Sequence, residues 1–387
     1  MSAPQLLGYP RSDGRWGFRN HILLLPLHQA LCNTAREIEN SVFSAVAVSH
    51  DWSGEIDSDF ERIAKVFAGI ANNPNNFSTI FLTIGTETET KIIERSRVLG
   101  ATPLHVLSLS DSGSMAHLLT SAIALASQLK EAANKESRVL APVSAIVLGL
   151  ECGGSDAYSG ITANPALGLA SDRLVELGAT SILGETMEIL GSEHLLAARA
   201  LNPAVGQQII DLVARYERSI NYEGIDIRGA QPSRGNIEGG LSTLEEKSLG
   251  AAKKAGSAPF TGVLEYADHP TAPGLYFMDT PGHDIEQLTG FAAAGVNIAV
   301  FTTGRGTPTG STVIPTIKVA TNTQMGSVLA DLIDLNAGTI ADGSQSLEEV
   351  GSLIFDKIIE VANGRQTKAE LGAHHEFNLS RLYGSTL

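Results

Sequence analysis

The stretch LGLECGGSDAYSGITANP, residues 148–165, decides the predicted fold of this 387-residue chain. Residues 144–150 form an apolar run typical of a buried strand, and the segment ALGLASDRLVEL that follows has the periodicity of an amphipathic helix. Asn164 and Pro165 are predicted to be the N-cap and the first residue of that helix. The residues between strand and helix are therefore predicted to form a loop at a strand's carboxyl end.

This loop carries polar side chains that suit a small ligand, namely Cys152, Asp156 and Ser159. Ligands of open α/β sheets bind in the crevice outside the carboxyl ends of the strands. Position and composition together therefore predict a binding site here. The alternative for Cys152 is that of a small buried residue with no chemical role.

The next strand and helix repeat this arrangement. Residues 180–183 are a short predicted strand, and the connection GETMEILGS leads to a helix predicted to begin at Glu193. Glu185 and Glu188 then lie beside the Cys152 loop, with His194 in the first helical turn. Thiol, carboxylate and imidazole groups are typical of metal ligands and of acid and base catalysts. The alternative is that the acids are solvated groups favoured by the helix dipole.

Composition excludes several classes of protein. The chain has 43% hydrophobic residues but lacks an apolar run of membrane length and an export signal at its N-terminus, so we expect a cytoplasmic protein. Its net charge of -15 argues against nucleic acid and anionic membranes as partners. Two cysteines do not indicate a disulfide framework.

The first 130 residues alternate between strand and helix patterns. HILLLP, FSAVAVS, TIFLTIG and LHVLSL are predicted strands, separated by amphipathic segments near residues 30–40, 57–71, 88–98 and 114–130. The polar stretch KEAANKES, residues 130–137, interrupts this periodicity and is the predicted boundary. The sequence therefore predicts an α/β protein of two Rossmann-like domains with mainly parallel sheets, residues 1–135 and 136–387.

Two cations of the second domain are candidates for anion binding. Lys247 is predicted in the first turn of a helix, where the helix dipole opposes a cation unless it faces a ligand or a carboxylate. The alternative is an exposed lysine. Arg305 lies in TTGRGTPTGST, where a guanidinium could grip a carboxylate and glycines allow the backbone to approach.

Common cofactor motifs are absent from the sequence. Gly304, Gly306 and Gly310 have the wrong spacing for a dinucleotide loop, and the segment VIPTIKVA that follows is predicted to be a strand rather than a helix. There is no phosphate loop, His-Glu-x-x-His motif or Cys-x-x-Cys pair. Any metal ligands must therefore come from dispersed positions.

Longer motifs along nearly the whole chain resemble the altronate and galactarate dehydratase family. They are GFRNHILLLP, NNPNN, GLECGGSDAYSGITANPALG, ILGETMEILGSEHLLAARA, GNIEGGLSTLEEKSLG, GLYFMDTPGHD, FTTGRGTPTGS and IKVATNT. The resemblance implies a metal-dependent hydro-lyase, with iron as the usual metal, that converts a sugar acid into a 2-keto-3-deoxy acid.

The resemblance also implies a partner. Full-length family members carry a small N-terminal SAF-type domain, and this chain opens directly with GYPRSDGRWGFRN, so we expect a separately encoded small SAF-domain subunit in an oligomeric assembly. The large subunit of the related (2R)-sulfolactate sulfo-lyase has a similar layout and is the alternative. Family dehydratases tend to have cysteines near His50 and Glu87 that this chain lacks, which leaves the substrate open.

The chemistry of both lyases suggests roles for the candidate residues. A proton next to a carboxylate is weakly acidic, so its removal needs a base and positive charge near the enolate. We expect a divalent metal, Fe²⁺ by resemblance, on Cys152, Glu188 and His194. The expected proton-transfer groups are Glu185, His283 and Lys247, and the expected substrate-binding residues are Arg305, Asp156, Ser159 and Asn164. A sugar-acid-binding paralogue without activity remains a further alternative.

Overall fold

The computed structural model describes residues 4–54, 59–100, 102–221, 228–229 and 231–381. Within them the chain has an α/β fold with two parallel sheets and one small antiparallel sheet, as predicted. Among these residues, no helix combines the length and the apolar character that crossing a bilayer requires.

The first parallel sheet has four strands in the order β4-β3-β5-β6. The elements of this part of the chain are β1 (Leu6–Pro10), β2 (Trp16–Gly17), β3 (His21–Pro26), α1 (Cys32–Ser41), β4 (Ala45–Ala47), α2 (Phe60–Ala71), β5 (Asn76–Thr83), α3 (Glu87–Leu99), β6 (Leu104–Ser108), α4 (Leu109–Ser112) and α5 (Met115–Ala133). Strands and helices alternate as the periodicity predicts, because each strand buries its apolar residues beneath helices.

The second parallel sheet has seven strands in the order β10-β11-β9-β8-β12-β13-β14. Its part of the chain contains β7 (Val139–Ala141), β8 (Val147–Gly153), α6 (Ala163–Glu176), β9 (Thr180–Leu183), α7 (Glu193–Ala198), α8 (Pro203–Asn221), α9 (Arg234–Glu238), α10 (Leu244–Ala252), β10 (Phe260–Leu264), β11 (Gly274–Met278), α11 (Asp284–Ala293), β12 (Ile298–Thr303), β13 (Thr316–Ala320), α12 (Thr323–Val328), β14 (Leu335–Asn336), α13 (Leu347–Ala362) and α14 (Lys368–Leu371). Helix α6 packs with α13, and α11 packs with α2 of the first part.

The two parallel sheets share an apolar core and a set of amide hydrogen bonds. Helix α2 packs against α11 with Phe67 and Phe291 in one buried cluster. The NNPNN motif supplies the polar contacts: Asn73 Nδ2 donates to the carbonyls of Ala292 and Val296 at 2.8 and 2.9 Å. This motif therefore has a structural role at the contact between the sheets. The small sheet pairs β1 with β7, which links residues 6–10 to the second part of the chain.

Two local predictions differ from the structure. Helix α6 begins at Ala163 with Thr162 as N-cap, so Asn164 and Pro165 lie inside its first turn. Asn164 does not cap the helix because its side chain is used elsewhere: Nδ2 donates to the Gly250 carbonyl, and Oδ1 accepts from the Thr302 hydroxyl. The first residues of KEAANKES belong to α5, which ends at Ala133. The predicted division into residues 1–135 and 136–387 stays a prediction.

Candidate active site

The candidate site lies at a switch point of the seven-stranded sheet. Strand β8 has β9 on one side and β12 on the other, so the connections leaving β8 and β12 run in opposite directions across the sheet. Such a point opens a crevice at the carboxyl ends of the strands. A cavity of about 330 Å³ lies here, and residues from the loops after β8, β9 and β12 line it.

The backbone at this edge brings polar groups close together. Glu185, two residues after the end of β9, has a left-handed φ of 63°. This conformation is strained for a residue with a Cβ and is frequent at functional sites. Its amide donates to the Thr280 hydroxyl at 2.6 Å, which holds this conformation. At the end of β8, a Cβ on Gly153 would overlap the Asp284 carboxylate. Glycine there lets Asp284 approach the strand.

Successive residues of β8 divide the site into two clusters on opposite faces of the sheet. Cys152 shares the face of Leu150, which packs in the core beneath α6, whereas Glu151 points to the face covered by α11. We call the first group the thiol cluster and the second the carboxylate cluster. The thiol cluster contains Cys152, Glu188, Lys247 and Lys254. The carboxylate cluster contains Glu151, Glu185 and Asp284.

The thiol cluster is a closed network around a buried lysine. Lys254 Nζ lies 2.8 Å from Cys152 Sγ and 3.2 Å from Glu188 Oε2, and Cys152 Sγ lies 3.1 Å from the same carboxylate oxygen. Lys254 is fully buried in the turn Lys253–Ala255 after α10. Sequence analysis missed Lys254, because adjacent lysines at a helix end are usually exposed.

Charge within the thiol cluster sets its protonation. Burial alone would raise the pKa of Glu188, but the ammonium groups of Lys254 and Lys247 lower it to about 2. Burial would lower the pKa of Lys254, yet its anionic neighbours raise it well above the usual value. Burial and then Glu188 raise the pKa of Cys152 to about 12. These directions fit a buried ion pair of Lys254 and Glu188 beside a Cys152 thiol that donates to Glu188 Oε2.

Lys247 and Arg305 both line the cavity, as their predicted role in anion binding requires. Lys247 is buried in the first turn of α10, where its Nζ lies 3.0 Å from Gln231 Oε1 and 3.7 Å from Glu188 Oε1. Arg305 is half exposed, and its Nη1 donates to the Gly235 carbonyl at 2.7 Å. Its Nη2 lies 3.6 Å from Oε2 of the exposed Glu238, a long surface contact that holds this nitrogen only weakly.

In the carboxylate cluster, several carboxylate oxygens have no hydrogen-bond partner among the described residues. Both carboxylate oxygens of Glu151 and the Oε2 atom of Glu185 are buried without a hydrogen-bond partner in the described part of the chain. Burial and then Asp284 raise the pKa of Glu151 well above its usual value, and burial and then Glu188 do the same for Glu185. Glu185 also shares a hydrogen bond with Glu188, which connects the two clusters.

Several predicted residues lie outside these clusters. Asp156 is buried, and its carboxylate accepts hydrogen bonds from Ser159, Thr321 and Asn322 at 2.9–3.0 Å, so it stabilises the loop. Ser159 is used in the same contacts. The two histidines, His194 in α7 and His283 before α11, are exposed and do not line the 330 Å³ cavity.

Two groups of three side chains in this site could each hold a metal ion. Cys152, Glu185 and Glu188 offer ligand atoms within 4.8 Å of one another, and so do Glu151, Glu185 and Asp284. Unpartnered carboxylate oxygens of Glu151 and Glu185 add to this fit, because a bound cation would offset the cost of burying them. Within the described residues His194 belongs to neither set, so the structure groups Glu185 instead of His194 with Cys152 and Glu188.

Comparison with known proteins identifies the family. Residues 143–385 match the model "D-galactarate/Altronate dehydratase, C-terminal", and residues 8–134 match "D-galactarate dehydratase/Altronate hydrolase, second domain". The chain belongs to the D-galactarate/altronate dehydratase family.

Three relatives show the range of this family. The chain is 34% identical over 382 residues to (2R)-sulfolactate sulfo-lyase subunit beta of Chromohalobacter salexigens, covering 98% of each chain. It is 44% identical over 233 residues to the L-threo-forming galactarate dehydratase of Escherichia coli, covering 60% of this chain and 44% of that one. Altronate dehydratase of Bacillus subtilis is 34% identical over 374 residues, 94% of this chain and 75% of its own.

Proposed function

We propose that this chain is a lyase that removes water from a sugar acid of the galactarate or altronate type to give a 2-keto-3-deoxy acid. The observation that carries the proposal is the 330 Å³ cavity, lined by the cations Lys247 and Arg305 together with the acids Glu185, Glu188 and Asp284. The cations can bind the substrate carboxylate, and the carboxylates can accept hydrogen bonds from its hydroxyl groups.

Residues that line the cavity transfer the protons in this proposal. Of the three groups expected to exchange protons, Glu185 and Lys247 line the cavity and His283 is exposed outside it. We assign to one of the two the removal of the proton next to the carboxylate, and to the other the protonation of the departing hydroxyl group. Positive charge on Arg305, which lines the cavity, stabilises the enolate that forms between these steps.

A divalent metal, which the family resemblance suggests to be Fe²⁺, would be held by one of the two donor sets of this site, each of which includes Glu185. It would supply Lewis-acid stabilisation of the negative charge on the enolate oxygens. The chain's own residues orient the acid and move its protons.

We also propose that the chain works as the large subunit of an assembly with a small SAF-type subunit. The similarity over 98% of each chain to a relative named subunit beta supports this. Action in the cytoplasm fits its two free cysteines, since disulfides form mainly in oxidising compartments.

Sulfolactate is the second candidate substrate, because the similarity to the sulfo-lyase subunit extends over the whole chain. Elimination from sulfolactate would release sulfite. The acids Glu185, Glu188 and Asp284 on the cavity wall can accept hydrogen bonds from the several hydroxyl groups of a sugar acid, whereas a sulfonate has no hydrogen to donate. This favours the sugar acid.

The experiment is a substrate comparison with anaerobically purified, Fe²⁺-supplied protein, alone and together with a small SAF-type subunit. Galactarate, altronate and sulfolactate are each incubated, and keto acid and sulfite are assayed separately. We expect a keto-deoxy acid from galactarate or altronate. Sulfite from sulfolactate, with no keto-deoxy acid from either sugar acid, would contradict the proposal. No product from any of the three would favour a non-catalytic binding protein.

A further inference from the structure

The two clusters differ in whether a cation already lies against their anionic groups. In the thiol cluster Lys254 contacts both Cys152 and Glu188 within 3.2 Å. In the carboxylate cluster the nearby lysine is Lys318, which is fully buried on β13. Its Nζ has no hydrogen-bond partner in the described part of the chain and lies 3.2 Å from the centre of the Phe301 ring. Among the described residues, a lysine therefore makes close ion pairs with the thiol cluster but not with the carboxylate cluster.

We propose that the divalent cation of this protein binds the carboxylate cluster, through oxygens of Glu151, Glu185 and Asp284, and does not bind Cys152. The inference rests on the proposed function only for the expectation that a metal is needed. The three ligand oxygens lie within 4.8 Å of one another, close enough to converge on one ion after small side-chain rotations. Oxygen donors suit hard or borderline cations such as Mg²⁺, Mn²⁺ and Fe²⁺.

A neutral oxygen beside the carboxylate cluster supports the same position. Gln287 is fully buried, and its Oε1 has no partner among the described residues. It follows Asp284 by three residues on α11, so the two side chains share one face of this helix. A Cβ on Gly184 would come within 2.6 Å of Gln287 Nε2, which places this amide next to Glu185. An unpartnered amide oxygen therefore lies beside unpartnered carboxylates.

The cost of burial argues in the same direction. A carboxylate removed from water without a partner is strongly destabilised, and proteins keep such groups mainly where a ligand or proton satisfies them. A cation on the carboxylate cluster would satisfy Glu151 and Glu185 at once. A cation on Cys152 and Glu188 would instead have to displace Lys254, leaving its ammonium buried without an anion.

The test is metal binding by the full-length protein, measured without substrate. Mn²⁺ is titrated into chelator-treated protein and followed by electron paramagnetic resonance, using the wild type and the variants Glu151→Gln, Asp284→Asn and Cys152→Ser. We expect Glu151→Gln and Asp284→Asn each to weaken Mn²⁺ binding by about tenfold or more, by analogy with the loss typical of groups that support a metal. Cys152→Ser should change the affinity by less than about threefold, since its sulfur would not be a ligand.

A second readout does not depend on affinity. Protein loaded with Co²⁺ should show no sulfur-to-metal charge-transfer absorption, because the thiol would not be a ligand. Such a band, or loss of Mn²⁺ binding in Cys152→Ser with normal binding in the two carboxylate variants, would overturn the inference and leave the proposed function intact. Absence of saturable Mn²⁺ binding to the wild type would also overturn it. Thermal unfolding of each metal-free variant verifies that it is folded.

Discussion

Two buried glutamates at the strand ends of the two parallel sheets have opposite surroundings. Glu89 follows β5 of the first sheet, and Glu151 lies at the end of β8 in the second; both are fully buried. The Glu89 carboxylate accepts five hydrogen bonds, from the Thr83 hydroxyl, the Ile84 amide, the Gly85 amide, and the Thr86 amide and hydroxyl. The Glu151 carboxylate accepts none from the described residues.

We infer from this difference that the first sheet edge is structural and that the second is available to a ligand. Glu89 closes a capping box with Thr86 at the start of α3, so its burial stabilises the loop and the helix together. Glu151 offers no such gain, because an unpartnered buried carboxylate costs free energy. The buried glutamate at the edge of the first sheet therefore has its hydrogen-bond partners, whereas the one at the edge of the second sheet has none among the described residues. The second arrangement is the one expected of a site that binds substrate and metal.

The largest stability effect is expected from removing Lys254, the fully buried cation of the thiol cluster. Lys254→Met keeps most of the side-chain volume but leaves Glu188 without its closest cation. We expect the free energy of unfolding in urea to fall by about 3–5 kcal/mol, as for other broken buried ion pairs. The control is Lys253→Met at the exposed neighbouring lysine, with an expected change below about 0.5 kcal/mol. Equal effects of the two substitutions would show that the buried network does not stabilise this edge.

Substrate binding should depend on the planar shape of the Arg305 guanidinium as well as on its charge. Arg305→Lys retains the charge but loses the two-pronged contact with a carboxylate, so the KM for the sugar acid should rise by about tenfold. Steady-state kinetics measures this. Arg234→Lys is the matched control, since Arg234 also pairs with Glu238 but is almost fully exposed, and its KM should match the wild type. An unchanged KM for Arg305→Lys would remove Arg305 from the substrate site.

The smallest expected effect is on the pH dependence of stability, and it concerns the neutral His50 at the edge of the first sheet. Its Nε2 donates to the Pro26 carbonyl at 2.8 Å, and its Nδ1 accepts from the Trp52 amide at 3.2 Å. Burial lowers the pKa of His50 below its usual value, although the contact with Pro26 opposes this. The resulting stability is present above the unfolded pKa of about 6.5 and is lost as pH falls below it, by at most ~1.4 kcal/mol per pH unit.

Urea unfolding at pH 7.5 and 5.5 checks this, with the non-titrating variant His50→Gln as control. Between pH 7.5 and pH 5.5, the free energy of unfolding of His50→Gln should fall by less than that of the wild type. Equal losses would mean that His50 does not contribute to the acid sensitivity of the first edge. The charged groups around His50 in the structure are Asp51, His28 and Arg381.

Most of the fold could be predicted from local sequence patterns. The run HILLLP became β3, and the periodic segment at residues 57–71 contains α2, because buried strands and amphipathic helices have characteristic periods. The start of α6 was missed, since Asn164 contributes its polar atoms to tertiary contacts that a local pattern does not reveal.

The site was harder to predict than the fold. Strand-end position brought Cys152, Glu185 and Glu188 together correctly, because parallel strands end at one edge. Residue type alone could not decide which way a side chain points: His194 has ligand chemistry but is exposed on α7, and Asp156 turns back into its own loop. Lys254 differs from the exposed Lys253 only through tertiary packing.

The most direct test of the comparison is to measure stability and turnover together for Glu89→Gln and Glu151→Gln. We predict that Glu89→Gln lowers the free energy of unfolding by about 1–3 kcal/mol, because buried amides lose their acceptor. Glu151→Gln should unfold at the same free energy as the metal-free wild type or a higher one, yet lose dehydration of galactarate and altronate. A Glu151→Gln protein as destabilised as Glu89→Gln, or one with unchanged turnover, would contradict the assignment of the second sheet edge as the functional one.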